Sequence, residues 1–250
     1  MTNKTILITG ATRGIGWDIA RLAAKAQYHV ILNGRSQEQL DLRVKLLRTN
    51  YPDAQIEGVV FDVTDRAAIA QAALSVGPID ILVNNAGIAL DNWWVKMSPN
   101  DWDDVIATNL TGVFNVTHFL TDNIQDGGQI VMMTSRSAIL GNMGQANYAA
   151  SKAGLIALTK TLAQELKRRD IRVNCLSPAA MTDMTVPAME KVKQRYDGKL
   201  PEEWQIGSSQ QVAAFVVNHL LHTDQTGQVY AVNGDEIGYW DEPTYHTLRG

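Results

Sequence analysis

The stretch Thr5-Ile6-Leu7-Ile8-Thr9-Gly10-Ala11-Thr12-Arg13-Gly14-Ile15-Gly16 decides the fold. A short apolar, β-branched run ends in glycines spaced GxxxGxG, and a helical pattern follows over residues 14–26. Glycines at such a strand-to-helix turn let the backbone approach a ligand, and the free N–H groups and dipole of the helix attract an anion. The turn therefore predicts a pyrophosphate site made by Gly10, Thr12, Arg13, Gly14, Ile15 and Gly16. The spacing is neither GxGxxG nor the P-loop pattern, so placement after the first strand carries the reading.

Outward from this turn, short β-branched runs alternate with longer helical patterns. Strands are expected at 5–9, 29–33, 56–61, 79–83, 129–134, 171–176 and 228–232, and helices near 14–26, 36–49, 65–75, 99–122, 146–168 and 208–222. That alternation predicts one Rossmann-type α/β domain over residues 1–250, a doubly wound parallel sheet of seven strands with helices on both faces. Residues 181–206 break the pattern with Pro187, Pro201 and four Met and Trp side chains. They read as a substrate flap, with Met184 and Trp204 as its apolar contacts, or as a surface excursion packing its own small core.

The formal charge of −4 gives no basic surplus for gripping nucleic acid. No apolar run reaches membrane-spanning length, and the N-terminus lacks signal-peptide organisation. One cysteine, Cys175, and five histidines without ligand spacing predict a cytosolic protein with no metal site.

The fourth strand ends in Asn84-Asn85-Ala86-Gly87, at the topological switch point. Asn85, Ala86 and Gly87 are expected against the cofactor, although asparagines at a strand end bind backbone as readily as an adenine. Asp62, followed by Val63, could hold an adenine amino group or cap the next helix. The second strand ends in Asn33-Gly34-Arg35, where an NAD-specific site would usually offer a carboxylate to the ribose. Gly34 cannot repel a 2′-phosphate, and Arg35 and Arg13 can bind one, which predicts NADP(H) in preference to NAD(H).

Tyr148 and Lys152 are four residues apart on the helix over 146–168 and share a face. A phenol titrates near pKa ~10, and a neighbouring ammonium favours its ionised form, fitting it to exchange a proton with a carbonyl or alcohol. YxxxK alone occurs by chance on many helices. Ser135, ending the fifth strand thirteen residues earlier, adds a hydroxyl, and Asn109 is a poor helix former inside an expected helix.

Together TGATRGIG at 9–16, NNAG at 84–87, Asn109, Ser135 and YAASK at 148–152 resemble the short-chain dehydrogenase/reductase family over nearly the whole chain. The run from Gly144 to Ile156 is similar to its 3-oxoacyl-carrier-protein reductase branch. The resemblance implies an Asn109-Ser135-Tyr148-Lys152 tetrad. Tyr148 transfers the proton, Ser135 orients the oxygen, Lys152 holds the nicotinamide ribose and lowers the Tyr148 pKa, and Asn109 supports a water that joins Lys152 to solvent. It also implies cofactor contacts from Pro178 and Thr182, although Pro178-Ala179 replaces the family's Pro-Gly and Asn233-Gly234-Asp235 replaces its Asp-Gly-Gly.

The reading that follows is NADPH-dependent reduction of a ketone, with 3-oxoacyl thioesters the first substrates to consider. Oxidation of a small secondary alcohol or polyol is the alternative, and a dinucleotide-binding sensor without turnover is a second. An acyl carrier protein partner would want a basic rim, but 122–129 holds no Lys or Arg, and Arg168 and Arg169 supply only part of one. The resemblance also suggests a homotetramer built on the helices over 99–122 and 146–168. Ala149, Ala153, Ala157 and Leu158 would serve that contact or the monomer's own core.

Overall fold

The computed structural model describes residues 4–201, 204–244 and 246–247. Among these, the strands are β1 (Thr5–Ile8), β2 (His29–Gly34), β3 (Ile56–Val60), β4 (Ile79–Asn84), β5 (Ile124–Met133), β6 (Arg172–Met181), β7 (Gly207–Ser208), β8 (Val229–Asn233) and β9 (Glu236–Tyr239). The sheet runs β3-β2-β1-β4-β5-β6-β8-β9, with β7 paired to β6 off this path. Every pairing is parallel except that of β8 with β9, which is antiparallel. The chain reverses its winding between β1 and β4, so the carboxyl ends of these strands border the crevice where such sheets bind ligands.

The helices are α1 (Gly14–Lys25), α2 (Gln37–Asn50), α3 (Arg66–Ser75), α4 (Pro99–Ile106), α5 (Gly112–Leu120), α6 (Ser137–Leu140), α7 (Ala146–Glu165), α8 (Val186–Arg195) and α9 (Ser209–Asn218). Side chains alternate across the central strands, which buries both faces and explains their continuous apolar runs. Ile6, Ile8, Val30 and Leu32 pack with Ala20 and Ala23 of α1 and Val212 and Val216 of α9. Leu7, Leu82, Ile130 and Met132 pack on the other side with Val113 and Val116 of α5 and Leu155 of α7.

The seven expected strands are present, and two more correct the count. β7 extends β6 through Ala180↔Gly207 and Met181↔Ser208, and β9 folds back on β8 at the sheet edge. All four β9 residues are exposed, so no alternation marks them in the sequence. The helix expected over 99–122 is α4 and α5 joined by a π-helical segment at Ala107–Thr111. α8, opening with Pro187 in its first turn, occupies part of the segment expected as a flap. Glu202 and Glu203 of that segment lie outside the described residues. No helix among the described residues is long and apolar enough to cross a membrane.

Candidate active site

A cleft of about 820 Å3 opens at the carboxyl ends of the strands. Gly10, Thr12, Arg13, Gly14, Ile15, Arg35, Asp62, Val63, Asn85, Ala86, Gly87, Tyr148, Lys152, Pro178 and Thr182 all line it, so the structure brings the expected cofactor residues to one place. Gly16, Asn109 and Ser135 are not among the lining residues. Ser36, Gln39, Phe61, Ile88 and Thr108 also line the cleft and were not legible as site residues.

Gly10 and Gly14 have φ of 61° and 57°, and a Cβ on Gly10 would stand 2.9 Å from the Ala86 Cα. The turn is thus pressed against the end of β4, and a side chain on Gly16 would strike the Asn85 amide. No side chain caps α1 and no acid sits in its first turn, so its leading N–H groups remain for an anion in the cleft. These features fit a dinucleotide pyrophosphate.

The asparagine at the switch point binds backbone. Asn85 Nδ2 donates to the carbonyls of Thr9 and Gly10 at 3.0 and 3.1 Å, while the Asn85 and Ala86 N–H groups donate to Thr9 Oγ1. Helix capping near Asp62 falls to Asp65, whose Oδ1 accepts from the N–H groups of Ala67 and Ala68. Asp62 instead accepts from the N–H and hydroxyl of Thr64 and pairs with Arg35 at 3.6 Å. Partial burial pushes its carboxyl up, but the Thr64 hydrogen bonds and then Arg35 outweigh this and hold it below the usual carboxylate range.

Asn109 is fully buried in the π-helical segment between α4 and α5. Its Oδ1 accepts from the Ile88 N–H and its Nδ2 donates to the Ile88 carbonyl, both at 2.8 Å, so it clamps the loop after β4. The widened turn accommodates this use of the side chain, a common place for a π segment. A Cβ on Gly87 would lie 3.1 Å from Asn109 Oδ1 and 3.5 Å from Lys152 Nζ, so glycine keeps the space between the two open.

Tyr148 and Lys152 project from one face of α7, with Nζ 5.7 Å from the phenol ring centre. Ser135, in the turn after β5, lies close enough to the phenol to oppose the rise in its pKa, and its hydroxyl accepts from the Ser137 N–H. Lys152 is buried and donates to the Met133 carbonyl at 2.8 Å. Burial drives its pKa down to about 8. The expected lowering of the Tyr148 pKa by Lys152 is not what the structure shows. Burial pushes the phenol up to about 12, the Ser135 hydrogen bond opposes this, and Asp91 adds to it. One side of Tyr148 still opens to the cleft, so a substrate can reach it. The trio can therefore orient a carbonyl oxygen and offer it a proton held on oxygen at neutral pH.

From the expected flap, Thr182 and Met184 reach the cleft, together with Asp183, but Trp204 is not among the residues lining it. A Cβ on Gly14 would touch Thr182 at 3.8 Å, which places the start of this segment over the glycine-rich turn. No group of three His, Cys, Asp or Glu residues suited to a metal occurs among the described residues.

The sequence pattern of short chain dehydrogenases matches residues 4–194. The chain is 40% identical over 245 residues to the 3-oxoacyl-acyl-carrier-protein reductase of Thermotoga maritima, covering 94% of this chain and 98% of that one. It is 39% identical to the corresponding reductase of Aquifex aeolicus, covering 94% and 97%. The L-sorbose reductase of Gluconobacter frateurii, solved with NADPH and L-sorbose, superposes with a TM-score of 0.82 at 25% identity, covering 94% and 96%. A point variant of actinorhodin polyketide ketoreductase with NADPH gives a TM-score of 0.82 at 31% identity, covering 93% and 96%. Its motifs, its fold and these likenesses agree: the chain belongs to the short-chain dehydrogenase family and is an NAD(P)-dependent oxidoreductase.

Proposed function

We propose that the protein reduces a ketone to a secondary alcohol with NADPH, and that 3-oxoacyl thioesters are its substrate class. The observation that carries this reading is the meeting of the Ser135 and Tyr148 hydroxyls beside a cleft that also holds the glycine-rich turn. A bound reduced nicotinamide supplies the hydride. Ser135 orients the substrate oxygen, and Tyr148 donates its proton to that oxygen as the alcohol forms. A phenol pushed up to about 12 keeps that proton across the neutral range, as a proton donor in reduction requires. Lys152 holds the ribose hydroxyls, and the gap kept by Gly87 between Lys152 and Asn109 is where a relay to solvent would pass.

The test is a panel of 3-oxoacyl thioesters, simple ketones and polyols, followed by the absorbance of the reduced nicotinamide. Thioesters should give the highest kcat/KM. Faster turnover of a polyol or sugar ketone would replace them as the substrate class, and stoichiometric cofactor binding with no turnover would favour the sensor.

Lys152→Ala should impair both cofactor affinity and kcat, since one ammonium serves the ribose and packs beside the Tyr148 ring. With a free-enzyme pKa of about 8, Lys152 is charged below that value and neutral above it. The kcat/KM for reduced cofactor should therefore fall above pH 8, and Lys152→Arg should remove that fall. A loss confined to affinity alone, or to kcat alone, contradicts the double role.

Whether the acyl chain arrives on a carrier protein turns on the basic rim. Arg169 spends its guanidinium within the fold, on Asp126 and the carbonyls of Thr121 and Ile124, which leaves Arg168 exposed beside it. Lys167 is exposed there as well, so carrier-bound and coenzyme-bound thioesters both belong in the panel. A cytosolic setting agrees with Cys175 as a free, buried thiol.

A homotetramer is the expected assembly. Ala149, Ala153 and Leu158 are only part-buried, Ala157 is exposed, and Phe114 on α5 is 46% exposed, so the monomer does not use up this apolar surface. Sedimentation at micromolar concentration should give four chains, and a monomer there rejects the assembly.

A further inference from the structure

The loop after β4 is stitched to the start of the Tyr148 helix at successive residues. The Leu90 carbonyl accepts from Asn147 Nδ2 at 3.0 Å, and the Asn92 N–H donates to the Gly144 carbonyl at 2.9 Å. Between them, Asp91 Oδ2 accepts from Gln145 Nε2 at 2.7 Å. The other end of the Gln145 amide is taken twice, by the Ser137 hydroxyl at 2.7 Å and by Asn142 Nδ2 at 3.0 Å. Two donors on Oε1 fix the amide so that its N–H groups face Asp91. Ser137 in turn donates its N–H to the Ser135 hydroxyl at 3.2 Å. A continuous polar chain thus runs from Asp91 through Gln145 and Ser137 to Ser135, and Gln145 also stands three residues before Tyr148 on the same turn into α7.

We propose that Asp91, gripped by Gln145, is a positioning residue of the active centre: through that grip it holds the turn that presents Ser135 and Tyr148 to each other. The proposal rests on the assignment of Tyr148 as proton donor. Lys152 lies one turn along α7 from the phenol, Ser135 sits in the turn after β5, and Asp91 acts on the phenol through its charge from the loop after β4. Burial does most to keep the phenol protonated, and Asp91 adds to it through its charge. Asp183 lines the same cleft from the segment after β6. Asp91 is exposed, so solvent screens its field, whereas the amide it grips is held by two further donors. The mechanical part should therefore be the larger of its two effects.

Two variants separate these effects. Asp91→Asn keeps an oxygen for the Gln145 amide but loses the charge, whereas Gln145→Ala keeps the charge and breaks the tether. Asp91→Asn should move the rising limb of the pH profile for alcohol oxidation to lower pH by roughly half a unit, because the phenolate is no longer opposed. Gln145→Ala should lower kcat roughly tenfold while the cofactor Kd stays unchanged, as expected when reacting hydroxyls lose their alignment. It should also speed backbone hydrogen exchange at residues 88–92 and 142–149, and Asp91→Asn should not. Wild-type kcat and wild-type exchange in Gln145→Ala overturn the tether, and an unmoved limb in Asp91→Asn overturns the charge effect. If the unmodified protein turns over no alcohol or ketone, the assignment of Tyr148 fails on that result, and the exchange measurement alone decides the tether.

Discussion

Tyr148→Phe should lower kcat by roughly a hundredfold to ten-thousandfold, the usual range for removing a positioned general acid, while the Kd for NADPH changes little. The substitution deletes one oxygen. The ring that packs beside Lys152 remains, and the glycine-rich turn lies elsewhere along the cleft. The two reaction directions should respond differently to pH in the unmodified enzyme. Reduction needs the phenol protonated, and with the group pushed up to about 12 that condition holds throughout the neutral and mildly alkaline range. Oxidation needs it deprotonated, so the oxidative rate should climb with pH over the same interval. Stopped-flow turnover together with a fluorescence titration of NADPH separates chemistry from binding. A variant retaining most of kcat would remove Tyr148 from the proton-transfer role, and a large loss of NADPH affinity would show that the hydroxyl serves binding instead.

The sheet was legible because each central strand is buried on both faces and so carries a near-continuous apolar run, as in Ile81-Leu82-Val83 of β4. β9 and α8 were not. β9 exposes all its residues, and α8 is a short helix carrying Glu190, Lys193 and Gln194, a composition that a surface loop shares. β5 begins earlier than expected because Ile124 pairs with Ile79 across an irregularity in the ladder, and the glycines at 127 and 128 conceal that extension.

At the site, the glycine-rich turn and the Tyr148–Lys152 spacing depend on local geometry, so residue order alone locates them. The roles of Asn85 and Asp62 stayed open because a polar side chain at a strand end has several partners in reach, and only the fold selects Thr9 and Gly10 for one and Thr64 for the other. Burial is a tertiary property too. The sequence shows Lys152 one turn from Tyr148, but it does not show the protein packed around both, which reverses the expected direction of the phenol's shift. Gln145 and Asp91, 54 positions apart, carry no pairwise signal in a single chain.

Arg35→Ala should raise the Kd for NADPH by roughly ten- to a hundredfold and leave that for NADH nearly unchanged. The estimate comes from a charge-assisted contact worth about 1.5–3 kcal/mol, with each 1.4 kcal/mol equal to about a factor of ten. The pair with Asp62 does not stand in the way. Arg35 is 72% exposed and its distance to Asp62 is 3.6 Å, so solvent screens a loose contact of the kind worth about 0–1 kcal/mol. Its guanidinium can turn to a 2′-phosphate with little loss. The neighbouring position reinforces the preference by geometry, since a Cβ on Gly34 would lie 2.8 Å from Thr12 Cγ2. A side chain at 34 would have to push the Thr12 methyl aside. Arg13, at the start of α1 and on the same cleft, supplies a second cation that Arg35→Ala leaves in place, which is why the loss should stop short of abolishing NADPH binding. Isothermal titration with both cofactors decides the matter: equal losses for NADPH and NADH would mean that Arg35 supports the pocket and does not read the phosphate, and equal affinities in the unmodified protein would mean that no phosphate is read at all.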